Sequence, residues 1–235
     1  MRIFNDHSRL SQAASRLFVR TAAQAISERG RFLAALSGGT TPIALYRLLV
    51  HADLDWSRTH LFWGDERCVP VDDPANNFFQ AERALLAEVP IPQQNIHRIR
   101  SELSPAGGAQ DYAAQLRKFA EPPLEWPRFD LVLLGVGEDG HTASLFPGSP
   151  VEAAEPVIAV TGEYQNRPAE RVSLTPLVFN SARLVIFLVS GTVKSAILAS
   201  IFKGGSHPDQ WPAQRIRPSD GRIAWMVDAQ AASQL

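Results

Sequence analysis

Apolar residues recur along this chain at two spacings. Unbroken runs, Phe32 to Leu36, Leu131 to Leu134 and Leu184 to Val189, read as strands covered on both faces. Between them the apolar positions follow the helical period. Leu10, Ala14, Leu17, Phe18, Ala25 and Ile26 mark one stripe of a helix over Ser8 to Arg29, with Gly30 as its cap. Ile43, Leu45, Leu48 and Leu49 define a second helix, which Pro42 can open without losing a hydrogen bond. Asn76-Asn77 starts a third, Gly108 to Ala120 reads as a fourth, and Thr192 to Phe202 as a fifth. Further strands are predicted at Thr59 to Trp63, Ile96 to Ile99, Val157 to Thr161, Arg171 to Leu174 and Ile223 to Val227, and the Leu131 run extends over Phe129 to Val136.

Strands that alternate with helices predict an α/β fold. The expected form is an open, mainly parallel sheet of the Rossmann type, with right-handed crossovers and helices on both faces. No repeat, low-complexity tract or linker interrupts the pattern, so one domain over residues 1–235 is expected. Pro122-Pro123 and Gly204 to Pro218 read as surface loops.

Composition narrows the function. A formal net charge of -1 argues against a broad nucleic-acid surface. The single cysteine, Cys68, leaves no intramolecular disulfide and no cysteine-based zinc site. The start, MRIFNDHSRL, lacks the apolar core of a signal peptide, and no run approaches the roughly 20 apolar residues of a membrane span. A cytoplasmic protein with no membrane partner is the expectation.

The chemistry gathers after predicted strands, where open α/β sheets bind ligands. Leu131 to Leu134 runs into Gly135, Gly137, Glu138, Asp139 and His141. A carboxylate beside an imidazole fixes its tautomer, as a general base requires. Ser37-Gly38-Gly39-Thr40-Thr41 joins a strand to a helix, so it reads either as a phosphate cradle or as a structural glycine turn. It is neither a Walker A loop nor a G-x-G-x-x-G fingerprint. Asp65-Glu66-Arg67 follows another strand, as a rim site or a solvated turn. Lys194 and Arg171 stand at the starts of predicted elements, as phosphate ligands or surface residues. The remaining histidines read as structural or surface groups. Together these features point to a small phosphorylated substrate and proton transfer.

The chain resembles the glucosamine-6-phosphate isomerase/6-phosphogluconolactonase family, and its lactonase branch in particular. LSGGTTP at Leu36 to Pro42, WGDERCVP at Trp63 to Pro70, NNFFQAE at Asn76 to Glu82 and LLGVGEDGHTASLFPGS at Leu133 to Ser149 carry the likeness. RVSLTP at Arg171 to Pro176, SGTVKSA at Ser190 to Ala196 and WMVDAQAA at Trp225 to Ala232 complete it in family order. The resemblance implies a deaminase/lactonase-like α/β fold. It implies hydrolysis of 6-phospho-D-glucono-1,5-lactone, a pentose phosphate pathway reaction, without metal or organic cofactor, by a monomer or weak homodimer. By position it makes His141 the base that activates water and Asp139 its orienting partner. Gly38, Gly39, Thr40, Arg171 and Lys194 would hold the phosphate, with Asp65 and Arg67 near the sugar ring or phosphate. The rivals are an isomerase or deaminase on the same fold and a non-catalytic sugar-phosphate sensor. Related deaminases carry an acidic residue further along the D-G-H loop, where this chain has Phe146.

Overall fold

The computed structural model describes residues 1–149, 153–162 and 168–235. The elements are β1 (Arg2–Phe4), α1 (His7–Arg29), β2 (Phe32–Leu36), α2 (Thr40–Leu49), β3 (Thr59–Trp63), β4 (Asp65–Arg67), α3 (Asn77–Ala84) and β5 (Ile96–His97). They continue with α4 (Pro105–Arg117), β6 (Leu131–Leu134), β7 (Val157–Thr161), β8 (Glu170–Leu174), α5 (Pro176–Ser181), β9 (Leu184–Val189), α6 (Ser195–Lys203) and β10 (Arg222–Asp228). Helix ends follow local chemistry. Asp6 accepts from Arg9 N to cap α1, and Gly30 closes it at φ 77°, a left-handed conformation that suits glycine. Asn76 caps α3 through Phe79 N, and Ser104 caps α4 through Gly107 N.

Seven strands form one sheet in the order β1-β10-β9-β6-β2-β3-β5. All its neighbours run parallel. This meets the fold expected from the alternation, and β2, β6 and β9 are buried at every position. The chain winds outward from the centre in both directions: β2 leads to β3 and β5, and β6 leads to β9 and β10. The reversal between β2 and β6 opens a crevice at their carboxyl ends, the usual ligand site of such sheets.

A second, antiparallel sheet runs in the order β4-β8-β7. Its β7 and β8 answer to the strands predicted at Val157 to Thr161 and Arg171 to Leu174, but β4 and the antiparallel pairing have no counterpart in the sequence pattern. Gly64 makes the transfer between sheets: its N–H donates to Leu36 O and its carbonyl accepts from Leu174 N, both at 2.8 Å. Asp65, Glu66 and Arg67 thereby become a strand, with exposures of 5%, 1% and 7%. The alternative of a solvated charged turn is overturned, because each charge finds its partner inside the protein. The stretch from Gly204 to Pro218 is likewise more than a surface loop. Its 3₁₀ turn Pro212–Arg215 is largely buried, and Ala213 N donates to Gly140 O at 3.0 Å. Among the described residues, no helix is long and apolar enough to cross a membrane.

Candidate active site

The loop after β6 folds back on itself. Gly137 N donates to His141 O at 2.8 Å, and Gly140 turns the chain at φ 88°. The turn sets Asp139 Oδ1 2.7 Å from His141 Nδ1 and 3.1 Å from His141 N. With its hydrogen on Nδ1, the imidazole donates to Asp139 and keeps its lone pair on Nε2. Burial works to raise the Asp139 carboxyl, but the hydrogen bond and charge of His141 prevail and hold it below the usual carboxylate range. The pair lies against the bare face of Gly137, where a Cβ would collide with both side chains.

Past His141 the loop is pinned from below. Ala143 sits at φ 49°, a left-handed conformation that is strained for a residue other than glycine. Thr142 Oγ1 donates to Gly135 O at 2.8 Å on one side of it. Ser144 Oγ donates to Asp65 Oδ2 at 2.7 Å on the other. Asp65 O also accepts from Asn77 Nδ2 at 2.8 Å. Asp65 therefore ties the loop to α3 from beneath. Phe146 closes the pair's other side, its ring centroid 4.9 Å from that of His141.

Beside this loop, at the β2–β6 crevice, lies a cleft of about 290 Å³. Gly38, Gly39 and Thr40 line one wall, Gly137 and Glu138 a second, and Ser190 and Lys194 a third. Gly39, at φ 103°, leads into α2, whose N-terminus opens on the cleft and favours an anion. Gly39 N already donates to Gln80 Oε1 at 3.2 Å. Gly38 has a packing reason to be glycine, since a Cβ there would collide with the Asn77 side chain. The Ser190-Gly191 turn is held by buried Asp228, which accepts from Ser190 Oγ at 2.5 Å and Gly191 N at 3.1 Å.

The structure thus brings together Gly38, Gly39, Thr40 and Lys194, with Asp139 and His141 next to them. Asp139 and His141 reach the cleft only through Gly137, against which they pack, and like Asp65, Arg67 and Arg171 they are not among the residues lining it. Arg67 lies directly opposite Arg171 in the β4–β8 ladder. Arg67 Nη1 donates to Ala75 O, and Arg171 Nε donates to Pro168 O. The Arg171 guanidinium carbon lies 5.3 Å from the centroid of Phe146, so the stack behind His141 runs Arg171–Phe146–His141. Sequence reasoning missed Ser144, Asn77 and Asp228 as supports. Their side chains signal nothing until distant strands meet them.

Three roomier clefts, of about 550, 480 and 520 Å³, carry no comparable chemistry. The first lies where β9 and β10 begin and holds the ion pairs Arg29–Asp130 and Arg128–Asp220. His60 and His97 lie apart from the cleft, 3.1 Å from each other and stacked.

The architecture is that of α/β proteins that bind small ligands where a parallel sheet reverses its strand order. Residues 5–225 match the model of the family described as glucosamine-6-phosphate isomerases/6-phosphogluconolactonase. The chain belongs to this family. It is 42% identical over 90% of its length to a 6-phosphogluconolactonase of Synechocystis sp., covering 88% of that protein. It superposes on the three-dimensional structure of 6-phosphogluconolactonase from Trypanosoma brucei with a TM-score of 0.85 at 28% identity, covering 100% of this chain and 97% of that one. A monomeric glucosamine-6-phosphate deaminase shares the fold, with a TM-score of 0.86 at 19% identity and 100% coverage of both chains.

Proposed function

We propose that the chain hydrolyses 6-phospho-D-glucono-1,5-lactone to 6-phospho-D-gluconate, with His141 as general base. The observation that carries the reading is the Asp139–His141 pair at 2.7 Å, beside a glycine-lined cleft with a lysine at its mouth. The likeness to the 6-phosphogluconolactonases of Synechocystis and Trypanosoma supports the same activity.

In this reading Gly38, Gly39, Thr40 and Lys194 hold the phosphate, which anchors the sugar far from the reacting carbon. His141 Nε2 takes a proton as water attacks the lactone carbonyl. Negative charge grows on the carbonyl oxygen and needs donors, which N–H groups of the loop after β6 or Arg67 would supply. The bond from the carbonyl carbon to the ring oxygen then breaks. The imidazolium returns its proton to that oxygen, and the new carboxylic acid ionises to bulk water. Asp139 holds the imidazole in the working tautomer throughout. Arg171 acts through Phe146, shaping the wall behind the base. All these groups come from one chain, so the reading needs no second subunit.

Deamination of glucosamine 6-phosphate is the second reading, because the fold is shared with a deaminase. Phe146 speaks against it: its apolar ring packs on His141 and cannot relay a proton. The test follows acid release from freshly made lactone, with spontaneous hydrolysis subtracted, and ammonia release from glucosamine 6-phosphate in parallel. Catalysed acid release without ammonia is expected. Ammonia at a comparable rate would overturn the assignment.

A further inference from the structure

Glu138 is the only carboxylate among the described residues lining the cleft. Its Oε1 lies 3.9 Å from Lys194 Nζ, across the gap between the loop after β6 and the turn after β9. That separation is an ion pair rather than a hydrogen bond. Exposures of 44% for Glu138 and 20% for Lys194 let water and dissolved ions reach both. Asp139, next in sequence, is turned away toward His141.

Resting on the lactonase reading, in which Lys194 takes the substrate phosphate, we propose that Glu138 sets the anion selectivity of the cleft. It is the carboxylate a ligand must displace from Lys194. A singly charged anion brings no more charge than Glu138 already supplies, and it leaves the displaced carboxylate nearby to repel it. A phosphate ester dianion brings two charges and several acceptor oxygens. These can also meet the hydroxyls and N–H groups at the start of α2. The exchange therefore favours dianionic phosphate monoesters over carboxylates and other monoanions.

Glu138→Gln keeps the shape and removes the charge. Calorimetric titration of the wild type and this variant with inorganic phosphate and with acetate, at a pH where phosphate is dianionic, reads the effect directly. Acetate should be silent on the wild type and bind the variant, taking the place of the missing carboxylate. Phosphate should bind the variant more tightly by about threefold, as expected for release of an exposed ion pair. With Lys194 replaced by Met, the change at position 138 should alter neither ligand's binding, because Glu138 acts through the ammonium. Acetate remaining silent on Glu138→Gln, phosphate binding more weakly to it, or equal gains without Lys194 would each overturn the inference. These are binding measurements. A wild type without lactonase activity would sink the lactonase reading and still leave the titrations to judge Glu138.

Discussion

At position 137 there is no room for a methyl group, because His141 Nδ1 and Asp139 Oδ1 fill that space. Gly137→Ala should therefore split the pair while the fold survives. The expected result is a loss of turnover with a melting temperature near that of the wild type, read by initial rates and thermal unfolding side by side. Unchanged turnover would mean the pair is not needed. His141→Ala should lower the turnover number by about 10² to 10⁴, the usual worth of a general base. Its KM should stay nearly constant, since the phosphate is held elsewhere. A variant retaining more than about half the wild-type rate would remove His141 from this role.

Between elements, the contact that matters most is Ser144 Oγ to Asp65 Oδ2, which fastens the loop after β6 to β4. Both residues are buried, with exposures of 0% and 5%. Ser144→Ala deletes the donor and leaves a buried carboxylate short of a partner. That should cost about 1–3 kcal/mol of stability, measurable by urea unfolding. It should also free the strained turn at Ala143, so turnover falls more than KM rises. A variant with wild-type turnover would show that Asp65 supports the fold alone. The loop after β6 was legible as chemistry because its residues are neighbours in sequence. Its fastening to β4 was not, since 79 positions separate Asp65 from Ser144.

Across the whole molecule, Glu66 joins the second sheet to α3. Its carboxylate accepts from Asn77 N at 2.6 Å, Phe78 N at 2.8 Å and Arg67 N at 2.8 Å. Burial pushes its carboxyl up to about 7, against the pull of those three donors. Between an unfolded value near 4.5 and that folded value, the native state keeps a proton that the unfolded chain has lost. Stability contributed by this group therefore falls as pH rises through that window and levels off above it. Glu66→Gln should flatten the profile there, by an amount on the order of 3 kcal/mol. Urea unfolding of both proteins at several pH values across the window provides the comparison. Parallel profiles for the two would refute the shift.

The sequence by itself determined most of the large sheet and the meeting of Asp139 with His141. Unbroken apolar runs such as Leu131 to Leu134, closed by glycines, suit strands covered on both faces, and Asp139 meets His141 within a single loop. The short edge strand Arg2–Phe4, the helix Pro176–Ser181, the strand Asp65–Arg67 and the antiparallel pairing of the second sheet left no comparable signature. The reason is physical. Apolar periodicity reports burial that is driven by removal from water. Asp65, Glu66, Arg67 and Arg171 are buried by hydrogen bonds, strand pairing and ring contacts with residues far along the chain. A charged triplet reads as solvent-facing until those partners exist. Only the tertiary structure supplies them, and only it separates the cleft-lining Lys194 from Arg171, which lies behind Phe146.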